Sequence, residues 1–424
     1  PTPLNSTYIN VYWDFLTSVA GKTITATFQY DPLQSNGASQ TITYVPAPYT
    51  MVQGPPLSGT SSFGTNSFTI TGNVATNNGG YWTMGTGATY YSYQTGNWDA
   101  PTTWTSDPSG TLQIGTTVPG FSDNVTILPG RTVTLTNDVT TLSLKLTIDN
   151  SGFVDMATYS FANGLSTLAG EGTLRLASVN LPTIGTNTLI NSGGGTVEYY
   201  NASSFTLPVA QTSYNNLTIN CSGQVATQLM NLTLNGNLLI KSGTLQINDN
   251  TSARRQLTVN GDITVESGGA IGVGNGVTNS VTNPAAITTT VAGPFINYYD
   301  NQSHRVVVNG NFVNHGTVNF SNIPYPVYNS LPPTTLGATS GFATVYFRGA
   351  NNATLTCNNT TNFYNLVVDK GSDQTYSLTI NPSAYDNFKL YGANSAAADA
   401  LMGATATNPN IKKACLLYTS PSPR

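Results

Sequence analysis

Leu232-Thr-Leu-Asn-Gly-Asn-Leu-Leu-Ile-Lys-Ser-Gly-Thr-Leu-Gln-Ile247 is followed by Leu257-Thr-Val-Asn-Gly-Asp-Ile-Thr-Val-Glu-Ser-Gly-Gly-Ala-Ile-Gly-Val273. The second segment repeats the first at an offset of about 25 residues, a period typical of solenoids. A third copy, Val306-Val-Val-Asn-Gly-Asn-Phe-Val-Asn-His-Gly-Thr-Val-Asn-Phe320, lies about two periods further on. Each copy holds three short alternating strands separated by Asn-Gly and Ser-Gly corners. Asn-Gly alone would suit a two-residue hairpin. A hairpin meander, however, has no reason to repeat at coil length. The corners are therefore expected to join successive faces of a right-handed parallel β-helix, with Asn and Gly supplying positive φ.

Strand alternation turns Leu232, Leu234, Leu238 and Ile240 inward, and Leu257, Val259, Ile263 and Val265 take the same places one coil later. Each row is expected to stack at about 4.8 Å. One coil buries nothing alone; the stack makes the core. Thr233, Thr258, Lys241 and Glu266 fall between these rows and face water.

Composition sets the class. The chain has 424 residues, 8 % of them charged, with a net charge of −4. No basic run stands ready to neutralise phosphates, which argues against a nucleic-acid partner. Low charge and plentiful aromatics also fail the signature of disorder. Thr and Tyr suit strands, and Gly and Asn suit turns. No apolar run is long enough to span a membrane, and no signal peptide is visible. Pro1 is not a start residue, so a longer parent protein is expected. Cys415-Leu-Leu-Tyr-Thr-Ser-Pro-Ser-Pro-Arg424 resembles a translated sequencing adaptor and is set apart as a non-native tail. Cys221 and Cys357 then remain, many coils apart. They are expected to be free, buried thiols, because a disulfide needs Cα atoms within about 7 Å.

Residues 1–88 lack the repeat. Their alternating runs, among them Lys22–Tyr30, Thr41–Tyr44 and Ser67–Ile70, suit a small β-sandwich closed by Tyr81–Gly85. The solenoid is expected over 89–383, with insertions near 277–301 and 322–340 where Ser, Thr, Asn and Pro interrupt the pattern. A C-terminal extension follows over 384–414. Ala384–Met402 hints weakly at helix, against Gly392 and Asn394.

Gly96-Asn-Trp98 and Trp104 precede Val118-Pro-Gly120, and Asp123-x-Val-x-Ile-x-x-Gly-x-x-Val-x-Leu135 follows. With the Tyr-Asn-(Asn)-Leu coils at Tyr214–Leu217 and Tyr364–Leu366, this resembles secreted bacterial adhesin-like β-helix proteins. Over about two thirds of the chain, the likeness is to cargo of the type IX secretion system. The resemblance implies a secreted or cell-surface location. The sorting domain of such cargo is absent from this sequence.

Site chemistry is sparse. His304 and His315 lack the converging partners of a metal site, and no cofactor is expected. Glu171, Glu198 and Glu266 are the only glutamates, and the aspartates are scattered. The paired acids of a polysaccharide lyase or glycoside hydrolase are therefore not evident, and no catalytic residue is assigned. Asp262 and Glu266 have no acidic counterparts in the adjacent copies. Asp369, Lys370 and Asp373 form the densest charged group and suit a solvated turn. Asp123 is expected to cap its own turn. Tyr90, Tyr91, Tyr93, Trp98 and Trp104 are candidates for stacking on sugar rings. For Trp98 and Trp104 the competing role, and the favoured one, is a cover over the N-terminal edge of the stack. Thr147, Thr218, Thr233 and Thr258 raise the possibility of an outward Thr ladder and ice binding. The row is broken by Val307 and Val367, and Thr suits strands anyway. The expectation is a structural or adhesin-like protein: a rigid spacer with weak contacts to polysaccharide or a cell surface. The alternatives are a carbohydrate-active β-helix enzyme and an ice- or carbohydrate-binding module.

Overall fold

A computed structural model describes residues 88–274, 304–320 and 341–390, apart from 116, 121, 142, 250–252, 364, 373, 374 and 385. Before them it describes the backbone of six strands between Trp13 and Gly85. The expected insertions and the tail at 415–424 lie outside the described residues. The protein is all-β, built largely from parallel sheets, the arrangement of a β-helix or solenoid. Apart from one 3-10 turn at Pro101–Thr103, the described residues contain no helix.

Contacts divide the chain into two compact units. The first comprises Pro1–Asp149, Ser160–Leu168 and Pro182–Thr186; the second holds the remainder. In the first unit, Gly80–Gly85 lies between Trp13–Asp14 and Thr41–Pro46, antiparallel to both. Ser67–Asn73 likewise lies between Thr23–Gln29 and Gly59–Gly64. Parallel stacking starts with Thr89–Ser92, Asn124–Ile127 and Lys145–Ile148. Val125 stacks on Leu146 and Ile127 on Ile148, all four fully buried. Trp104–Thr105 pairs antiparallel with Thr89–Ser92 and so occupies a sheet edge that would otherwise offer unpaired backbone groups.

The second unit carries the repeat. Leu232 pairs with Leu257, Leu234 with Val259, Leu238 with Ile263 and Ile240 with Val265, all parallel. A third face adds Leu245 on Ile271 and Ile247 on Val273. Burying each such side chain is worth about 1.5–3 kcal/mol, and only the neighbouring coil makes that burial possible. The second and third strands of a copy are not separate. They run on as Leu238–Ile247 and Ile263–Val273, bent at a register shift between Ile240 and Ser242. Gln256–Val259 pairs directly with His304–Val308, so the third copy is the next coil in space despite its distance in sequence. The stack continues through Ala353–Cys357 to Leu378–Pro382, and Phe388–Leu390 pairs with Thr361–Phe363. Within Ala384–Met402, which hinted at helix, Phe388–Leu390 is a strand, and residues 391–402 lie outside the described residues.

The Asn-Gly corners work differently from expectation. Gly236, Gly261 and Gly310 do not adopt positive φ; Gly223 and Gly243 at the second bend do. The first corner is instead a ladder of side-chain acceptors. Asn216 Oδ1 accepts from Asn237 N at 2.8 Å, Asn237 Oδ1 from Asp262 N at 2.8 Å, and Asp262 Oδ1 from Asn311 N at 2.7 Å. Asn311 Oδ1 accepts from Thr354 N at 2.9 Å. A Cβ on Gly236 would collide with Asn216 Oδ1, one on Gly261 with Asn237 Oδ1, and one on Gly310 with Asp262 Oδ1. Glycine is needed for this close approach, and Asp262 serves because the ladder position needs only an acceptor.

The outward threonines form no single ladder. Thr126 pairs with Thr147 in one sheet and Thr233 with Thr258 in another, while Thr218 lies between Glu198 and Leu239. Cys221 and Cys357 are free and buried, as expected.

Candidate functional site

On the second unit's large parallel sheet, Leu174 and Leu176 point into the core, so Arg175 points out. Register pairs it with Asp155 on one neighbouring strand and Glu198 on the other. Its Nη1 lies 3.3 Å from Asp155 Oδ2 and its Nε 3.2 Å from Glu198 Oε2. The Tyr200 hydroxyl donates to Asp155 Oδ1, and the guanidinium sits 4.8 Å from the centre of the Tyr200 ring. Asn220 Nδ2 donates to Glu198 Oε1 at 2.8 Å, and Ser242 Oγ donates to Asn220 Oδ1 at 2.8 Å. These six polar side chains, spread over residues 155–242, form one continuous network. In one dimension the acids are scattered; stacking brings them together.

The geometry limits the chemistry. Two strand spacings, roughly 10 Å, separate the backbones of Asp155 and Glu198, and their carboxylates converge on one guanidinium. Arg175 fills the gap and binds both carboxylates, where the paired acids of an inverting glycosidase leave room for water and substrate. Burial, followed by the bond to Asp155, pushes the Tyr200 phenol far above its ordinary value, so it stays protonated. The network offers hydrogen-bonding groups to a ligand, and both of its carboxylates are bound to the arginine.

The predicted aromatic residues fall into two groups. Trp98 and Trp104 are 5 % and 1 % exposed and pack edge to face at 5.0 Å, with Phe161 5.1 Å from Trp98. Trp104 Nε1 donates to the Trp98 carbonyl at 2.7 Å. Neither ring has a face left for a sugar, so both leave the list of carbohydrate contacts and take the covering role. Tyr90, Tyr91 and Tyr93 are half-buried. The Tyr90 hydroxyl pairs with Thr117 Oγ1 at 2.8 Å, and Tyr91 is in register with outward Thr126. These three keep their candidacy.

Asp123 does more than cap its turn. Its Oδ2 accepts from Gly120 N at 2.5 Å, and its Oδ1 accepts from Ala88 N at 2.6 Å, tying distant strand ends together. Burial pushes its carboxyl up to about 6, against the pull of those two amides. Lys370 is not on a solvated turn. It is 1 % exposed, its Nζ donates to the Arg348 carbonyl at 2.6 Å, and burial lowers its pKa. Asp369 pairs with Arg348 at 3.0 Å; Asp373 lies outside the described residues. His304 is buried, and its Nδ1 accepts from Arg255 N at 3.1 Å. His315 Nδ1 lies 3.1 Å from Asn358 Nδ2.

No protein family, curated protein or solved structure matches the chain. The functional reading therefore rests on the molecule's own chemistry. Among the described residues, no group of three or more His, Cys, Asp or Glu could hold a metal ion, and no helix is long and apolar enough to cross a membrane.

Proposed function

We propose that this chain is a secreted or cell-surface structural protein of adhesin type. A right-handed solenoid acts as its rigid spacer, and its outer faces make weak contacts with polysaccharide or a surface. The observation that carries the reading is the use made of polar side chains. Arg175, Asp155 and Glu198 are bound to one another, and the corner amides satisfy backbone groups of the next coil. Such groups stiffen a stack and leave little for catalysis. Right-handedness follows the general preference of about 98 % for parallel crossover connections. A sandwich over 1–88 agrees with the two antiparallel sheets of its described strands. Export as type IX cargo rests on the Trp98–Trp104 loop and the Asp123–Leu135 segment.

The test is cosedimentation of purified protein with insoluble polysaccharides, together with reducing-end and unsaturated-product assays on the soluble ones. Binding without product release is expected. A carbohydrate-active enzyme is the second reading, favoured by the placement of Asp155 and Glu198 on either side of Arg175. Product release that disappears in Asp155→Asn and Glu198→Gln would establish it and overturn the spacer reading.

A further inference from the structure

Asn216–Gln228, Leu238–Ile247, Ile263–Val273, Phe312–Asn314 and Ala353–Cys357 are successive strands of the second unit's large parallel sheet. Register aligns Thr218, Leu239, Thr264, Val313 and Thr356 across them. All five point outward, because each follows a fully buried or nearly fully buried residue: Leu217, Leu238, Ile263, Phe312 and Leu355. Hydroxyl-bearing and aliphatic side chains therefore alternate along the stack, one per coil, at about 4.8 Å. From Leu239 to Thr356 they are half-buried. The corner ladder runs beside this row, with Asn237 exposed and Thr354 half-buried.

A free hydroxyl on a strand means little alone, since threonine suits strands and water can bond it. Here the free groups recur in register. The hydroxyls of Thr264, Thr354 and Thr356 have no hydrogen-bond partner among the described residues, and neither has Nδ2 of Asn237. The same row continues in the other direction into Glu198, Arg175 and Asp155, whose charges are bound to one another. Beyond them the row from Thr218 to Thr356 is uncharged, and the nearby Lys241 and Glu266 have opposite sign. An uncharged, periodic row of hydroxyls and aliphatic patches matches a neutral polymer of the same repeat. A flat, extended β-linked polysaccharide advances by close to one strand spacing per sugar. Its rings offer apolar C–H faces and a rim of hydroxyls. Ice matches less well, because Leu239 and Val313 interrupt the hydroxyls.

We infer that a neutral, extended polysaccharide lies along this row, parallel to the stack. Its ring faces cover Leu239 and Val313, and its hydroxyls bond Thr264, Thr356 and Asn237. This rests on the polysaccharide-contact part of the proposed function and deepens it by naming the face and the ligand class. Each contact is weak. Affinity accumulates because one chain touches several coils whose side chains are already fixed in place.

The experiment is calorimetry of the full chain with cellohexaose, xylohexaose and mannohexaose, their disaccharides, dextran and polygalacturonate. At least one hexasaccharide is expected to bind about tenfold or more tightly than its disaccharide, because it reaches more coils. Dextran, neutral but flexible, should bind far more weakly. Thr264→Val with Thr356→Val keeps the branched shape and removes two hydrogen bonds, so hexasaccharide binding should weaken by about tenfold. Val313→Lys puts a charge into the row and should weaken binding without loss of a hydroxyl. Thr233→Val with Thr258→Val, on a different sheet, should change nothing. Melting curves accompany every variant. No binding of any hexasaccharide, equal affinity for hexasaccharide and disaccharide, or binding to polygalacturonate alone overturns this assignment. Undiminished binding by the melt-competent Thr264→Val, Thr356→Val and Val313→Lys proteins overturns it as well. Ice shaping that is lost in those variants assigns the row to ice instead. Failure to bind any polysaccharide, including the insoluble ones, overturns the surface-contact reading with it.

Discussion

A corner glycine and the amide above it are one unit. Gly236 lies under Asn216 Oδ1, so Gly236→Ala forces a steric adjustment costing about 1–3 kcal/mol. Asn216→Ala removes the acceptor for Asn237 N and costs about 1 kcal/mol. Together they should cost less than the sum, because the atom that the new methyl strikes is gone. Urea unfolding of the four proteins checks this; strict additivity would show that the corner tolerates a methyl for another reason. Asp123 offers a pH test. Its folded pKa of about 6 exceeds the ordinary 3.8, so the fold binds the proton more tightly than the unfolded chain does. The associated stability is complete below about pH 4 and is lost as the pH rises through about 6, on the order of 2–3 kcal/mol in all. Asp123→Asn should remove that slope. A wild-type minus variant difference that stays flat between pH 4 and 7 would refute the assignment.

At the scale of the element, strand pairing turns isolated charges into a strip. Removing Arg175 leaves Asp155 and Glu198 facing each other across its strand with no cation between them. Arg175→Gln should cost about 1–3 kcal/mol, less than a fully buried pair because the arginine side chain is 28 % exposed. Adding Glu198→Gln to that variant should restore part of the loss, since the mostly buried carboxylate is the group left uncompensated. Chemical denaturation of the single and double variants reads both effects. A double variant less stable than Arg175→Gln would mean that Glu198 is held chiefly by Asn220 and contributes stability without the arginine.

The stack as a whole behaves as a line of neighbours. Ile263 is fully buried between Leu238 and Phe312 on the adjacent coils. Ile263→Ala should cost about 2–5 kcal/mol through the cavity it leaves. The loosening should spread along the stack and fade with distance. Hydrogen exchange followed by mass spectrometry should show faster exchange in Leu238–Ile247 and Phe312–Asn314, with little change in Phe153–Asp155. Uniform acceleration over all these strands would indicate a single cooperative unit instead.

The sequence by itself determined the coil. Two copies 25 residues apart place aliphatic residues at matching positions, and period-2 alternation leaves one way to bury them, so the pairing of Leu234 with Val259 was legible. The burial of Trp98 and Trp104 was legible as well, because a stack of strands needs a covered edge. Only the tertiary structure decided the sites. Arg175 joins residues 155 and 198 through register between coils, and no local pattern encodes which outward residues will become neighbours. The positive φ expected at the corners holds for Gly223 and Gly243 but was the wrong cause for the Asn-Gly glycines. A positive φ is a property of one residue, whereas the constraint on Gly236, Gly261 and Gly310 comes from an oxygen in the coil before.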